Sequence, residues 1–237
     1  MKSGGLLAAC LALLLAVLPA RAGEPVDAAL VLAIDVSLSV NEQRYTLQKE
    51  GVAAAFESPD LAKAIAGGPY GAVAVAVMEF SDPDRQFAVV EWTRIASAED
   101  AAALAARIRR VRRSSDGLTG IADALIAAQQ LLDGSPFAAS RRIVDVSGDG
   151  MNNIGTDMTA ARDRLVEAGI TINGLPILSE EPWLETYYTD YVIGGPGAFV
   201  ITAEGLDSFA EAMKRKLVQE LDVSSAAPVA RGPRQPG

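Results

Sequence analysis

Three short stretches of this 237-residue chain concentrate the oxygen-bearing side chains that bind a hard cation. Asp35-Val36-Ser37-Leu38-Ser39 follows the apolar run from Ala28 to Ile34. Ser114-Ser115-Asp116-Gly117-Leu118-Thr119 precedes a helical pattern that begins at Gly120. Ser147-Gly148-Asp149-Gly150 follows the short apolar run from Arg142 to Val146. Carboxylates and hydroxyls supply oxygen only, without sulfur or imidazole. Such a set suits Mg²⁺, with Mn²⁺ or Ca²⁺ as alternatives, better than zinc or copper. Each residue also has a plainer reading. Ser39 with Glu42 spells a capping box, Thr119 can cap the next helix, and Asp149-Gly150 is an ordinary turn pair. Asp35 is the hardest to explain away, because an unpaired carboxylate at the end of an apolar strand is costly.

Composition narrows the chemistry. The chain has no histidine, which excludes histidine acid–base catalysis, His-assisted nucleophiles and His-ligated zinc. It has one cysteine, Cys10, so no internal disulfide can form. Half of the residues are hydrophobic but only 5% are aromatic, so the core must be built mainly of Ala, Val, Leu and Ile. The net charge of -9 argues against nucleic acid as a partner, since phosphate contacts need a basic face. Arg107, Arg109, Arg110, Arg112 and Arg113 do cluster. They read as a solvated helix end that complements the helix dipole.

The N-terminus carries an export pattern. Lys2 precedes an apolar run from Leu6 to Leu18, and Ala20-Arg21-Ala22 offers a small-x-small cleavage site. The expectation is a signal peptide over residues 1–22, cleaved near Ala22, with a periplasmic or secreted product. An uncleaved anchor and a lipoprotein are the rival readings. Loss of Lys2 and Arg21 would take the charge from -9 to -11. No later segment is long and apolar enough to span a bilayer, so no transmembrane segment is expected in the mature chain.

Periodicity then supplies the elements that must position the oxygens. Strands are expected at 28–34, 72–80, 86–95, 142–146, 170–177 and 198–202. Helices are expected at 41–56, 97–111, 120–132 and 156–168, with a last one after Gly205. Ser97 and Thr156 are the expected N-caps, and Gly169 the expected stop. The five residues between the second and third strands allow only a hairpin, so one edge strand runs antiparallel. The alternation predicts a three-layer, doubly wound α/β fold with a mainly parallel six-stranded sheet. The ligand crevice of such folds lies beyond the carboxyl ends of the strands, where all three oxygen-rich stretches fall. A domain over residues 23–223 is expected. The Ala-, Pro-, Gly- and Arg-rich stretch 224–237 reads as a disordered tail.

Asp35-x-Ser37-x-Ser39 after a first apolar strand resembles the signature of von Willebrand factor A and integrin inserted domains. Thr119, followed by Ala124 and Leu125, and Asp149 in its Gly-flanked turn match the family's other two loops. The resemblance spans residues 26–222. The exported layout is also similar to a bacterial family of A-domain-like proteins without an assigned function. The likeness implies a Rossmann-like sheet of order 3-2-1-4-5-6 and a metal-ion-dependent adhesion site. In it Ser37, Ser39 and Thr119 are direct ligands, and Asp35 and Asp149 bind directly or through water. The ion's open position then takes a carboxylate from a protein partner.

The expected function is therefore binding, not catalysis. A metal-free structural or assembly domain is the alternative, and a Mg-dependent hydrolase a lesser one. The aromatic stretch from Trp183 to Tyr191 follows the fifth strand, so Trp183, Tyr187 and Tyr188 are candidate partner contacts. The plainer reading makes them core cover. Asn152 and Asn153 read as turn formers.

Overall fold

The computed structural model describes residues 23–179 and 181–222. The expected signal peptide and tail lie outside them. Strands β1 (Glu24–Val26) and β2 (Ala28–Asp35) lead into helices α1 (Glu42–Phe56) and α2 (Pro59–Ala66). A hairpin of β3 (Val73–Phe80) and β4 (Gln86–Ile95) is followed by α3 (Ala98–Arg110) and α4 (Ile121–Asp133). Next come β5 (Phe137–Ala139), β6 (Arg142–Gly148), α5 (Met158–Glu167) and β7 (Ile170–Pro176). A short α6 (Leu184–Tyr187) runs into a π-helical turn (Tyr188–Val192), and α7 (Leu206–Leu221) closes the fold.

Five strands form the main sheet in the order β4-β3-β2-β6-β7, parallel throughout except for the β3–β4 hairpin. β2 sits in the middle and is buried along its whole length. Its side chains alternate between two cores. Leu30, Leu32 and Ile34 pack with Val52 and Phe56 of α1, Leu104 of α3 and Leu217 of α7. Ala29, Val31 and Ala33 pack with Leu125 of α4 and Leu165 of α5. Helices therefore cover both faces, as the continuous apolar strands require. Small residues let these layers approach. A Cβ on Gly51 of α1 would lie 2.6 Å from the Phe209 ring of α7.

The ends of several elements differ from the sequence reading. Ser97 caps α3 through Asp100 N–H and Gly169 ends α5 at φ +73°, as expected. Asp157, not Thr156, caps α5, accepting from Ala160 N–H. Helix α2 was not expected. It starts from Ser58 and Pro59, a cap-and-first-turn pair that is legible in hindsight. Strands β1 and β5 form a small parallel sheet too short to signal by periodicity.

The sixth strand is corrected. Residues 198–202 run beside β7 but meet it only through isolated bridges, Gly174 with Val200 and Ile177 with Ala203. Two features interrupt a regular ladder. The Asn173 side-chain oxygen accepts from Phe199 N–H at 3.1 Å, and Pro176 has no N–H to give.

Charges enter the core where α7 meets the sheet. Lys216 Nζ lies 2.7 Å from Asp145 Oδ2 of β6 and 2.5 Å from Glu220 Oε1 one turn on. Asn173 Nδ2 of β7 donates to Glu220 Oε1 at 2.7 Å, and the Phe199 ring lies against the Lys216 ammonium. All four polar side chains are buried. Removing one partner of a buried ionic group strands the others. Lys216→Met is therefore expected to cost about 3–5 kcal/mol in urea unfolding, and Lys214→Met, at an exposed pair on the same helix, to leave the urea midpoint almost unchanged.

Candidate metal centre

β2 ends in the Asp35 carboxylate, which is completely buried. The chain then turns sharply. Ser37 N–H donates back to Asp35 Oδ1 at 2.8 Å, and Val40 N–H donates to Ser37 O at 2.9 Å. Neighbouring loops hold this turn in place. Val36 N–H donates to Phe80 O at the end of β3, and Leu38 N–H donates to Gly117 O in the loop before α4. Arg113 Nη2 donates to the carbonyls of Val36 and Ser37 at 2.7 and 2.8 Å. Part of the arginine cluster thus fastens the first oxygen-rich loop, a role beyond the solvated helix end expected from sequence.

The second and third loops are tied together by the two asparagines. Asn153 Oδ1 accepts from Thr119 N–H at 2.9 Å, and Asn153 N–H donates to Thr119 O at 3.0 Å. Asn152 Oδ1 accepts from Ala122 N–H in the first turn of α4 at 2.9 Å. Asn152 thereby satisfies one N–H in the first turn of α4, whose N-cap Gly120 has no side chain to do so.

Asp35, Ser37, Ser39 and Asp149 lie together, and Thr119 lies against the third loop. Ser37 Oγ and Ser39 Oγ lie 3.0 Å apart, and Ser39 Oγ donates to Asp149 Oδ1 at 2.5 Å. Thr119 Oγ1 lies 3.4 Å from the point where a Cβ on Gly150 would begin. Asp35 Oδ2 lies 2.8 Å from the equivalent point on Gly148. The plainer readings of two donors do not hold. Asn41, not Ser39, caps α1, and Gly120, not Thr119, is the N-cap of α4.

The electrostatics of the site are unbalanced. Asp35 Oδ2 is buried and has no hydrogen-bond partner among the described residues. Burial pushes the Asp35 carboxyl up to about 7; the Ser37 N–H bond opposes this and nearby Asp149 adds to it. A divalent ion would supply the missing positive charge. Among the described residues no three His, Cys, Asp or Glu side chains converge, so such an ion would depend on the hydroxyls. Two carboxylates and three hydroxyls fit a hard, six-coordinate cation that keeps some water. One cation is already present. Arg44, in the first turn of α1, places Nη1 3.0 Å from Asp149 Oδ2 and 3.3 Å from Ser39 O. Sequence reasoning missed it, because helical spacing alone does not show which loop an exposed arginine meets.

The aromatic stretch divides. Trp183 and Tyr191 are 46% and 47% exposed, and Tyr187 bridges them, stacked on Tyr191 and edge-on to Trp183. Tyr187 also touches the third loop, its hydroxyl accepting from Asn152 N–H at 3.2 Å. Tyr188 is corrected. It is fully buried, with its hydroxyl 3.1 Å from the Cβ point of Gly148, so it backs the site and cannot touch a partner. Leu38, Leu118 and Met151, one from each oxygen-rich loop, are also exposed. Each oxygen-rich loop therefore exposes an apolar side chain within two residues of a candidate donor.

The raised Asp35 pKa has a measurable sign. A carboxyl whose folded pKa lies near 7 and whose ordinary value is 3.8 stabilises the fold fully below about 4, and that contribution fades as pH rises through 7. Chelator-treated protein should therefore lose thermal stability between pH 5 and pH 8. Asp35→Asn should flatten that loss and melt higher than wild type at pH 8. An unchanged pH profile in the mutant would contradict this electrostatic picture.

Solved structures share this architecture. Proximal thread matrix protein 1 from the mussel byssus, in a form described as having a zinc-occupied MIDAS motif, aligns at TM-score 0.58 and 19% identity, over 83% of this chain and 46% of that one. The von Willebrand factor domain of the type V pili tip protein Mfa5 from Porphyromonas gingivalis aligns at TM-score 0.58 and 11% identity, over 87% and 99%. A von Willebrand factor type A protein from Catenulispora acidiphila aligns at TM-score 0.57 and 17% identity, over 83% and 43%. This chain thus spans about half the length of the mussel and Catenulispora chains. No curated protein matches it in sequence. The fold is von Willebrand factor A-like, and the match over residues 25–225 shows that the chain belongs to the family described as "Protein of unknown function (DUF1194)".

Proposed function

We propose that this chain is an exported binding module that holds one divalent cation and uses it to recognise a carboxylate on a protein partner. The observation that carries the reading is the meeting of the Ser37, Ser39 and Asp149 oxygens beside the buried, partnerless oxygen of Asp35. Ser37, Ser39 and Thr119 would be direct ligands, and Asp35 and Asp149 would bind directly or through water. Mg²⁺ suits the set, with Mn²⁺ or Ca²⁺ as alternatives. When bound, the ion supplies a positive centre with an open position, which lets an acidic chain take up an acidic group. The three hydroxyls are neutral and quench little of its charge.

The surroundings support binding over catalysis. Leu38, Leu118, Met151, Trp183 and Tyr191 expose apolar surface around the donors, as a contact rim would. Tyr187 joins that rim to the third loop. The zinc-occupied motif reported for the mussel protein and the pilus-tip setting of the Porphyromonas domain point the same way. Export rests on the N-terminal sequence pattern.

One observation favours a second reading, a metal-free assembly domain. The Arg44–Asp149 ion pair gives one site carboxylate an internal cation. The two readings separate by titration calorimetry with Mn²⁺ and Mg²⁺. On the metal-dependent reading, wild type binds about one ion, and Asp35→Ala binds none. Arg44→Ala, which frees Asp149, should tighten Mn²⁺ binding about tenfold, as loss of a competing charge-assisted bond would. No binding at millimolar ion by wild type and Arg44→Ala alike would reject the metal-dependent reading in favour of assembly.

A further inference from the structure

The ionic group under α7 holds more reactive chemistry than an ion pair requires. Lys216, Asp145 and Glu220 touch one another in a buried space. Asp145 Oδ2 and Glu220 Oε1 meet at the one ammonium, 2.7 and 2.5 Å from Lys216 Nζ. Two carboxyls and one amine cannot all be charged there without leaving a net negative charge in the core. The half-buried Arg141, whose Nη1 donates to Glu220 O at 2.7 Å, offsets charge on Glu220 and not on Asp145, so Asp145 is the carboxyl that takes up a proton. Burial and the neighbouring Glu220 both push Asp145 upward, against the pull of Lys216. A neutral carboxylic acid then lies beside a lysine nitrogen, with a second carboxyl in contact with both. Glu220 Oε1 is held by Asn173 Nδ2, while Asp145 Oδ1 has no hydrogen-bond partner among the described residues. The surroundings are the apolar face of Ile143, Leu175, Met213 and Leu217, with the Phe199 ring over the ammonium.

We propose that Lys216 and Asp145 condense into an intramolecular isopeptide bond, with Glu220 as the proton carrier. The Lys216 ammonium gives one proton to the Glu220 carboxylate. The nitrogen lone pair, now free, attacks Cγ of protonated Asp145 and forms the C–N bond. A second nitrogen proton passes through Glu220 to the hydroxyl on Cγ. The C–O bond breaks and water leaves. The products are the amide, a protonated Glu220 and one water, so protons and charge balance without an oxidant or co-reactant. Asp145 is the acyl partner because its oxygen lies 2.7 Å from Lys216 Nζ, whereas Asn173 bonds to Glu220. The bond would staple the last helix to the central part of the sheet in a chain whose single cysteine permits no internal disulfide.

Denaturing intact-mass measurement on the purified chain decides the matter, followed by peptide mapping. Wild type should be lighter by one water than its linear sequence, and a digest should give one branched peptide joining Lys216 to Asp145. Glu220→Gln should keep a cooperative melt and show the full linear mass, and Lys216→Arg should show its own linear mass. A wild-type chain at full linear mass overturns the proposal. So does a water loss that maps elsewhere, such as a succinimide at Asp116-Gly117, Asp133-Gly134 or Asp149-Gly150. A branched peptide that persists in Glu220→Gln keeps the bond and removes Glu220 from its formation. None of these outcomes depends on metal binding at the other edge of the sheet.

Discussion

The structure turns on one costly placement, the Asp35 carboxylate at the buried end of the central strand. Moving an ionised carboxylate out of water costs several kcal/mol unless it is paired. Here a single backbone N–H answers one oxygen, and among the described residues nothing hydrogen-bonds to the other. Three loops converge on the same strand end, where the charge of Arg113 lowers the cost and that of Asp149 raises it. Much of the loop bonding follows from it. Arg113 ties down the carbonyls next to Asp35, the two asparagines lock the second loop to the third, and Gly148 leaves room for the carboxylate and for Tyr188 behind it.

The sheet makes that convergence rigid. β2 is paired on both sides, with β3 and β6, and its side chains fill both cores. Its carboxyl end therefore cannot drift relative to the ends of its neighbours. The Val36–Phe80 bond carries this rigidity past the strand into the loop. A site that needs oxygens placed to within fractions of an ångström is thus built on the least mobile part of the molecule. The exposed side chains Leu38, Leu118, Met151, Trp183 and Tyr191, by contrast, sit on the surrounding loops and turns.

Buried charge appears a second time, under α7, with a different balance. At Asp35 a carboxylate lacks a cation. At Lys216 one cation serves two carboxyls, and the surplus is met by a proton. Both groups lie on parallel strands of the sheet's centre, where apolar layers on each face exclude water. The two sites open in different directions. The first faces the loop edge, where an ion or partner can reach it. The second is sealed beneath a helix, so its chemistry can only be internal.

The family resemblance implied the strand order; the amino-acid sequence by itself determined the layers, the antiparallel hairpin and the run of oxygen-bearing side chains after the first long strand. Each of these rests on local pattern: continuous apolar strands need two covered faces, a five-residue connection forces a hairpin, and Asp35, Ser37 and Ser39 sit at a fixed spacing after a strand. Tertiary structure alone decided the roles that depend on which distant residue comes near. It turned Tyr188 inward with Leu184 and Val192, four residues away on either side, while Tyr187 stacked on the exposed Tyr191. It brought Arg44 and Arg113 to the site, reduced the sixth strand to isolated bridges through Asn173 and Pro176, and gathered Asp145, Lys216 and Glu220 from β6 and α7. None of these contacts has a sequence signature. A long polar side chain reads the same whether it meets water or a residue dozens of positions away, and only the packed chain distinguishes the two.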